Sequence, residues 1–381
     1  MSEFDRFVDR RNSSSTKWEK YKDRDVIPMW IADMDFKAPQ PVIAQLEQRC
    51  RLGVYGYTKL PEELVEVFLA YLQSNYSWPV SEQDLVFIPG IVPGLNIACR
   101  SLVSDGEAIL TATPTYPPLL SAPGDAGRDL ICIPVEEQDG RYVYPTKKLA
   151  ESITANSRML LLCNPSNPIG RSLTRDELKG IVALCLKHNL LLCSDEIHCD
   201  LVFDGRSHIP IATIDPAIED SLITLIGPGK TFNLAGIGGA VAVIKNPALR
   251  EAFIASSLGI TGAVSLFSYP AMLAAYRDCS AWREELLAYL QGNRDYLRQR
   301  IDEMPHIRMN DVEATYLAWI DVRVLKVTDP LAFFEEAGVG LAAGEQYDGV
   351  GFMRLNFGCP RSVLAEACDR IEKALRSTNT E

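Results

Sequence analysis

The sequence predicts an α/β fold in which a parallel β-sheet is covered by helices on both faces and is followed by a smaller α+β unit. Over roughly residues 45–275, short strands that are almost continuously apolar alternate with helices, and strands of this kind are buried on both faces. Beyond this region helices and strands alternate less regularly. We therefore expect an N-terminal arm at 1–45, a large domain at 46–275 and a small domain at 276–381.

The large domain is predicted to contain a helix opened by Pro61, because apolar residues such as Leu64 and Phe68 recur four positions apart. Another helix starts at a capping box, in which Thr174 and Glu177 each accept a hydrogen bond from the other's backbone amide. The predicted strands lie, in chain order, at 85–88, 108–112, 130–134, 159–163, 190–193 and 222–226.

The small domain shows a different order of elements. A long helix is predicted over 281–304, strands over 315–321 and 351–356, and a closing helix over 361–375. We expect the N-terminal arm to pack with this domain.

Composition and charge exclude several classes of protein. The 381 residues are 47% hydrophobic and 23% charged, as in ordinary globular proteins, which excludes fibrous and disordered chains. The net charge is −12, whereas proteins that bind nucleic acid or an anionic membrane carry a basic surface. The charge therefore argues against both kinds of partner. The chain has no apolar run of the roughly 18 residues that a membrane span needs, and its charged N-terminus does not resemble a signal peptide. We therefore expect a cytoplasmic protein.

The cysteine and histidine patterns do not predict a metal site. None of the ten cysteines forms a C-x-x-C pair, and most lie in apolar runs, such as those that end at Cys163 and Cys193. We expect them to be small buried residues. The four histidines include no pair at a spacing of four residues, so we expect no zinc site.

Two segments with polar side chains follow predicted apolar strands, and ligands of open parallel sheets bind at the carboxyl ends of strands. Asn164-Pro165-Ser166-Asn167-Pro168 follows the strand at 159–163 and indicates a rigid turn, either structural or part of a site. Asp195 follows the strand at 190–193, where a carboxylate needs a cation or hydrogen-bond donors. The alternative for Asp195 is a helix cap.

Two cationic residues complete the set. Lys230 follows the strand at 222–226, where desolvation lowers the pKa of an amine and makes it a nucleophile towards carbonyl groups. The alternative is an exposed lysine in a glycine-rich loop. Arg354 lies within the predicted strand at 351–356 and needs an anion, either a bound carboxylate or a structural ion pair.

Taken together, the spacing of these residues resembles that of fold-type I pyridoxal-phosphate enzymes. The resemblance implies that Lys230 bonds covalently to the cofactor and that Asp195 pairs with the nitrogen of its ring. It also implies that Asn167 donates to the ring hydroxyl oxygen and that Arg354 holds the α-carboxylate of the substrate. A carboxylate beside the ring nitrogen keeps it protonated, and the protonated ring withdraws electrons from the α-carbon.

Further segments look like the cystathionine β-lyase branch of these enzymes, the PatB/MalY-type C–S lyases, over about residues 5–376. They are NSSSTKW at 12–18, MWIADMDF at 29–36, GVYGYT at 53–58, SDEIH at 194–198 and KTFNLAG at 230–236. The resemblance implies an aspartate aminotransferase-like fold, with a seven-stranded, mostly parallel sheet in a cofactor-binding large domain. It also implies α,β-elimination from a β-thioether amino acid, with a thiol, pyruvate and ammonia as products.

The same resemblance implies further site residues. Tyr116 would stack on the cofactor ring and take part in catalysis, and His198 would lie at the cofactor. The backbone amides of Ile91 and Val92, at the start of a helix, suit the phosphate dianion. Tyr57 would reach the phosphate from a neighbouring subunit, which implies a homodimer with shared active sites.

The sequence departs from the family pattern at several positions. Gly229 replaces a serine that helps to hold the phosphate, Ser166 and Ile169 stand where histidine and serine are frequent, and the loop at 346–350 looks shorter. These departures leave alternative reactions open: γ-elimination or cyclisation of a γ-substituted amino acid, or transamination. A purely regulatory, non-enzymatic role is disfavoured because Lys230 and its partner residues are all present.

Overall fold

The computed structural model describes residues 2–138 and 140–377. The strands in this part of the chain are β1 (Ile27–Pro28), β2 (Leu85–Ile88), β3 (Ala108–Thr113), β4 (Asp129–Pro134), β5 (Glu136–Gln138), β6 (Arg141–Val143), β7 (Ser157–Cys163), β8 (Leu191–Asp195), β9 (Leu222–Ile226), β10 (Ala240–Val243), β11 (Arg308–Met309), β12 (Leu317–Asp321), β13 (Val339–Gly340), β14 (Ala342–Ala343) and β15 (Phe352–Asn356). The α-helices are α1 (Thr16–Glu19), α2 (Gln40–Leu52), α3 (Glu62–Tyr76), α4 (Ile91–Leu102), α5 (Pro117–Asp125), α6 (Thr146–Ser152), α7 (Arg175–His188), α8 (Pro247–Ser257), α9 (Ser268–Asp278), α10 (Ser280–Asp302), α11 (Pro330–Glu336) and α12 (Arg361–Ser377).

The large sheet has seven strands in the order β2-β10-β9-β8-β7-β3-β4. All its strands run parallel except β10, which is antiparallel to both β9 and β2. The prediction of a mostly parallel sheet is therefore confirmed. Strand β10 was not predicted from the sequence.

Alternating residues of the central strands face two separate apolar layers. Along β7, Leu160 packs with Leu64 and Phe68 of α3 on one face of the sheet. The adjacent Leu161 packs on the other face with Leu95 of α4. This two-sided burial explains why the central strands are apolar along their whole length.

A smaller antiparallel sheet, with the order β11-β12-β15-β14, forms a second core with α10 and α12. The N-terminal arm takes part in this core: β1 pairs with β13, and Met34 and Phe36 are buried among residues of the small sheet. The arm therefore packs against the small sheet.

The predicted elements occur within a few residues of their expected ends. Thr174 caps α7 with both hydrogen bonds of the predicted capping box. Strand β8 extends two residues beyond its predicted end and makes Asp195 its last residue. Eight of the ten cysteines are buried, which confirms their packing role, whereas Cys50 and Cys132 are exposed.

Among the described helices, none combines the length and the apolar character needed to cross a membrane.

Candidate active site

A cleft of about 770 Å³ lies between the N-terminal arm and the ends of the large-sheet strands. Three predicted site residues, Tyr116, Lys230 and Arg354, line this cleft. Tyr116 comes shortly after β3 and Lys230 shortly after β9, so parallel strands deliver both to the same edge of the sheet. Arg354 comes from β15 of the small sheet, and the cleft is therefore built from both sheets.

Asp195 ends β8 with its carboxylate buried, at 1% exposure. Its Oδ1 accepts a hydrogen bond from the Ile197 backbone amide at 3.1 Å, but its Oδ2 has no partner among the described residues. Burial raises the pKa of this carboxyl to about 7, while the Ile197 amide and the charge of Lys230 act in the opposite direction. An unpartnered buried carboxylate oxygen is unfavourable unless a ligand supplies the donor.

Lys230 lies in the turn after β9 and is half-buried. Its Nζ donates to the Ala32 carbonyl oxygen at 2.6 Å. Burial lowers the pKa of this amine to about 8; the Arg354 charge lowers it too, and the Asp33 and Asp195 carboxylates oppose the shift. Part of the population is thus unprotonated near neutral pH, as a general base or nucleophile requires.

Arg354 is a buried guanidinium held by neutral groups. Its Nη1 donates to Asn167 Oδ1 at 2.9 Å, its Nη2 donates to the Trp30 carbonyl at 2.7 Å, and its Nε has no partner in the described chain. The ring of Tyr347 lies 4.7 Å from the guanidinium carbon. Burial lowers the pKa of Arg354, and no described carboxylate forms an ion pair with it. Such a cation is suited to an anionic ligand.

Asn167 and Tyr116 flank these charged groups. Asn167 is buried, and because its Oδ1 accepts from Arg354, its NH2 group is left to donate elsewhere. Tyr116 is the residue before α5, and burial raises the pKa of its hydroxyl to about 12, with a further contribution from the Asp195 charge. Tyr116 is therefore neutral at physiological pH.

His198 is buried in the turn after β8, and its Nδ1 has no hydrogen-bond partner in the described structure. Its ring meets the ring of Tyr316 edge to face, with 6.0 Å between centroids. Burial, together with the charges of Lys230 and Arg354, lowers the pKa of His198 well below its usual value. The imidazole is thus neutral.

Like Asp195, Asn167 and His198, the remaining predicted residues are not among those that line the cleft. Ile91 and Val92 form the first turn of α4, where amides have no acceptor within the helix. The side chain of Tyr57 is fully exposed in a segment without regular structure and does not line the cleft of its own chain.

The departures from the family pattern occupy two different places. Ser166 and Ile169 line a cavity of about 30 Å³ together with Tyr142, rather than the cleft. Gly229 precedes Lys230 directly, and a Cβ added to it would meet only the Ala235 backbone, at 3.8 Å. Its φ lies outside the left-handed region, so the position admits a side chain.

Backbone carbonyls of the arm form a part of the site that the sequence analysis missed. Asn356 Nδ2 donates to the carbonyls of Ile31 and Asp33, both at 2.6 Å. Asn233 Nδ2 donates to those of Met34 and Phe36, both at 2.9 Å. The segment was recognised as a motif, but a main-chain acceptor has no side-chain signature that could reveal its role.

Two charged residues, one in the SDEIH segment and one just after the Asn-Pro turn, do not line the cleft and are structural. Glu196 Oε2 lies 2.6 Å from His208 Nε2 in a fully buried pair. Arg171 forms ion pairs with Glu177 at 2.8 Å and with Glu313 at 3.3 Å. Their partners explain their burial without a ligand.

Comparison with known proteins now identifies the family. The sequence pattern of the aminotransferase class I and II family matches residues 24–371. The chain belongs to this family. The predicted resemblance is confirmed, and enzymes of this family act on amino-acid substrates.

Individual relatives cover nearly the whole chain. Cystathionine β-lyase PatB of Bacillus subtilis is 32% identical, over 98% of this chain and 99% of its own. The crystal structure of OvoB has a TM-score of 0.96 at 42% identity, over 98% of this chain and 99% of its own. Cystalysin from Treponema denticola, whose crystal structure contains pyridoxal 5'-phosphate, has a TM-score of 0.95 at 32% identity, over 99% of this chain and 100% of its own. The fold is aspartate aminotransferase-like, as predicted.

The protein is therefore a pyridoxal-phosphate-dependent enzyme of fold type I. The residues present fit this cofactor: Asp195 offers a buried, unpartnered oxygen to a ring N–H, and Lys230 offers an amine of lowered pKa to an aldehyde. The first turn of α4 offers free amides to a phosphate.

Gly229→Ser should tighten cofactor binding, because the added hydroxyl can donate to the phosphate and the backbone accepts a side chain. A hydrogen bond to a charged group contributes about 1.5–3 kcal/mol, so the cofactor dissociation constant should fall roughly tenfold or more. Gly227→Ala is the matched control: its Cβ would lie 3.1 Å from the Ala240 Cα, so it should weaken folding without tightening binding. An unchanged or larger constant in Gly229→Ser would show that position 229 does not face the phosphate.

Proposed function

We propose that this enzyme is a C–S lyase that catalyses α,β-elimination from an L-amino acid carrying a β-thioether. One arrangement supports the proposal: a single cleft brings an amine of lowered pKa, Lys230, beside Arg354, a buried cation without an acidic partner. The similarity to PatB, named a cystathionine β-lyase, favours elimination at a C–S bond.

Pyridoxal phosphate, when bound, supplies a conjugated ring that accepts electrons from the α-carbon of the substrate. We assign the ring nitrogen to Asp195, whose free Oδ2 would keep it protonated, and the ring hydroxyl oxygen to the Asn167 amide. Tyr116 would stack on the ring, where an offset aromatic contact contributes about 1 kcal/mol. The amides of Ile91 and Val92 would bind the phosphate.

The substrate would be oriented by Arg354. Its Nη1 and Nη2 now donate to an amide oxygen and to a backbone carbonyl, and an incoming α-carboxylate offers a charged acceptor to the unpartnered Nε. This contact would turn the α-carbon towards Lys230, which lines the same cleft.

Lys230 would act as the proton carrier. Its unprotonated Nζ takes the α-proton of the substrate, and the C–S bond breaks as the sulfur leaves with the bonding electrons. The sulfur takes up a proton to give a thiol, and water releases the remaining three-carbon fragment as pyruvate and ammonia. A pKa near 8 lets this amine both accept and return a proton close to neutral pH.

The products formed from S-substituted cysteines test this proposal directly. We expect the wild-type enzyme to form a thiol, pyruvate and ammonia in equal amounts. Lys230→Ala should show no turnover and should lack the visible absorption band of the lysine-bound cofactor. Transfer of the amino group to a keto acid, 2-oxobutyrate from γ-substituted amino acids, or loss of water without ammonia would each contradict β-elimination and identify one of the alternative reactions.

We further propose that the enzyme works as a homodimer, in which Tyr57 reaches the phosphate site of the neighbouring subunit. The segment around Tyr57 exposes several large apolar side chains to solvent. The exposed fractions are 60% for Leu52, 67% for Val54 and 58% for Tyr55. Exposed apolar patches of this kind mark protein interfaces.

Sedimentation should give twice the chain mass of 42.2 kDa, and Tyr57→Phe should weaken cofactor binding by removing one hydroxyl donor to the phosphate. Tyr55→Phe serves as the control, since the Tyr55 hydroxyl donates to the Cys50 carbonyl of its own chain at 3.2 Å. A fully active monomer, or equal cofactor affinity in Tyr57→Phe and wild type, would refute the shared site.

A further inference from the structure

The carbonyl oxygen of Ala32 accepts two hydrogen bonds from different parts of the fold. Lys230 Nζ, in the turn after β9, donates at 2.6 Å, and the Tyr316 hydroxyl, in the residue before β12, donates at 3.0 Å. A carbonyl has two lone pairs, so both donors are accommodated. This oxygen therefore joins the arm, the large sheet and the small sheet at one point.

The Ala32 carbonyl is held in place by its neighbours. The carbonyls of Ile31 and Asp33, on either side, both accept from Asn356 Nδ2 at the end of β15. Ala32 is buried, and Tyr316 is 1% exposed. The peptide cannot turn its oxygen away from Lys230 without breaking several of these bonds, so the acceptor is preorganised.

We propose that the Ala32 carbonyl, oriented by Tyr316, is the docking site of the Lys230 amine whenever that amine is not bonded to the cofactor. Tyr316 is then a positioning residue, which acts on Lys230 through the Ala32 oxygen. The inference rests on the proposed role of Lys230 as the lysine that bonds to the cofactor and carries the proton.

A docking site answers a physical requirement of this reaction. The amine must leave the cofactor when an amino acid binds and return when the product departs, and a lysine side chain has a flexible four-carbon stem. An ammonium in a desolvated cleft also needs an acceptor, because an unpaired buried charge is unfavourable. One fixed oxygen supplies that acceptor and keeps the amine close to the reacting carbon.

The charges around Lys230 come from several elements. The titratable groups that face it are Asp33 on the arm, Tyr116 before α5, Asp195 at the end of β8, His198 in the following turn, Tyr316 and Arg354. Burial and Arg354 favour the neutral amine, whereas Asp33 and Asp195 favour the ammonium. The hydrogen bond to the Ala32 carbonyl also favours the ammonium. Loosening this bond should therefore lower the pKa of Lys230 further.

Tyr316→Phe tests this inference in the full-length chain from which the cofactor has been removed. The rate at which acetic anhydride acylates Lys230 is measured across pH by mass spectrometry of the peptide that contains it, with the exposed Lys179 as internal reference. We expect the midpoint for Lys230 to fall by about half to one pH unit and its acylation at pH 7 to rise several-fold. Tyr347→Phe, which alters a cleft ring that contacts Arg354 but not Ala32, should leave both unchanged.

A purely structural role for Tyr316 would lower the melting temperature but leave the midpoint and the rate as in wild type, and that result would overturn the proposal. An upward shift of the midpoint would also overturn it. If Tyr316→Phe does not fold, the wild-type chain provides the test. The titration midpoint of Lys230 and the reactivity of Lys179 together predict how fast an undocked Lys230 is acylated. A docked amine reacts more slowly than this predicted rate, whereas an undocked amine reacts at it. These measurements involve no turnover, so their failure is distinct from failure of the proposed lyase activity.

Discussion

The rest of the site depends on the buried carboxylate of Asp195, because this group requires a bound hydrogen-bond donor. Asp195 ends a strand in the middle of a seven-stranded sheet, where burial raises its pKa to about 7 and leaves one oxygen without a partner among the described residues. A fold retains such a group only if something that binds there relieves the cost. The protonated ring nitrogen of pyridoxal phosphate would supply the missing donor and charge, and Lys230 and Arg354 line one cleft.

The N-terminal arm gives the cleft its second wall and connects the two sheets. Backbone carbonyls between residues 30 and 36 accept from side chains of two parts of the fold: Arg354 and Asn356 of β15, and Lys230 and Asn233 in the segment after β9. The residue that would bind the substrate carboxylate and the residue that would carry the proton thus share one peptide segment. A movement of the small sheet relative to the large one would shift this segment and with it the carbonyl that accepts from Lys230.

Much of the fold could be predicted from the sequence, and so could three residues that line the cleft: Tyr116, Lys230 and Arg354. Asp195 and Lys230 could be selected because each is a charged residue that comes at or shortly after the end of an apolar strand, and parallel strands bring those ends together. Strand β10 was missed because Ala240–Val243 is short and its antiparallel direction has no periodic signal. Tyr316 and the Ala32 carbonyl were missed because their roles depend on a contact across 284 residues that local patterns do not encode. The role proposed for Tyr57 involves a second chain, so the fold of a single chain does not reveal it.

A crystal structure of the chain with pyridoxal 5'-phosphate tests the central claim most directly. We predict that Asp195 Oδ2 lies within hydrogen-bond distance of the ring nitrogen, about 2.7–3.2 Å, with the Lys230 side chain covalently joined to the cofactor. A cofactor bound with its ring nitrogen facing another group, and with Asp195 Oδ2 still unpartnered, would contradict the account.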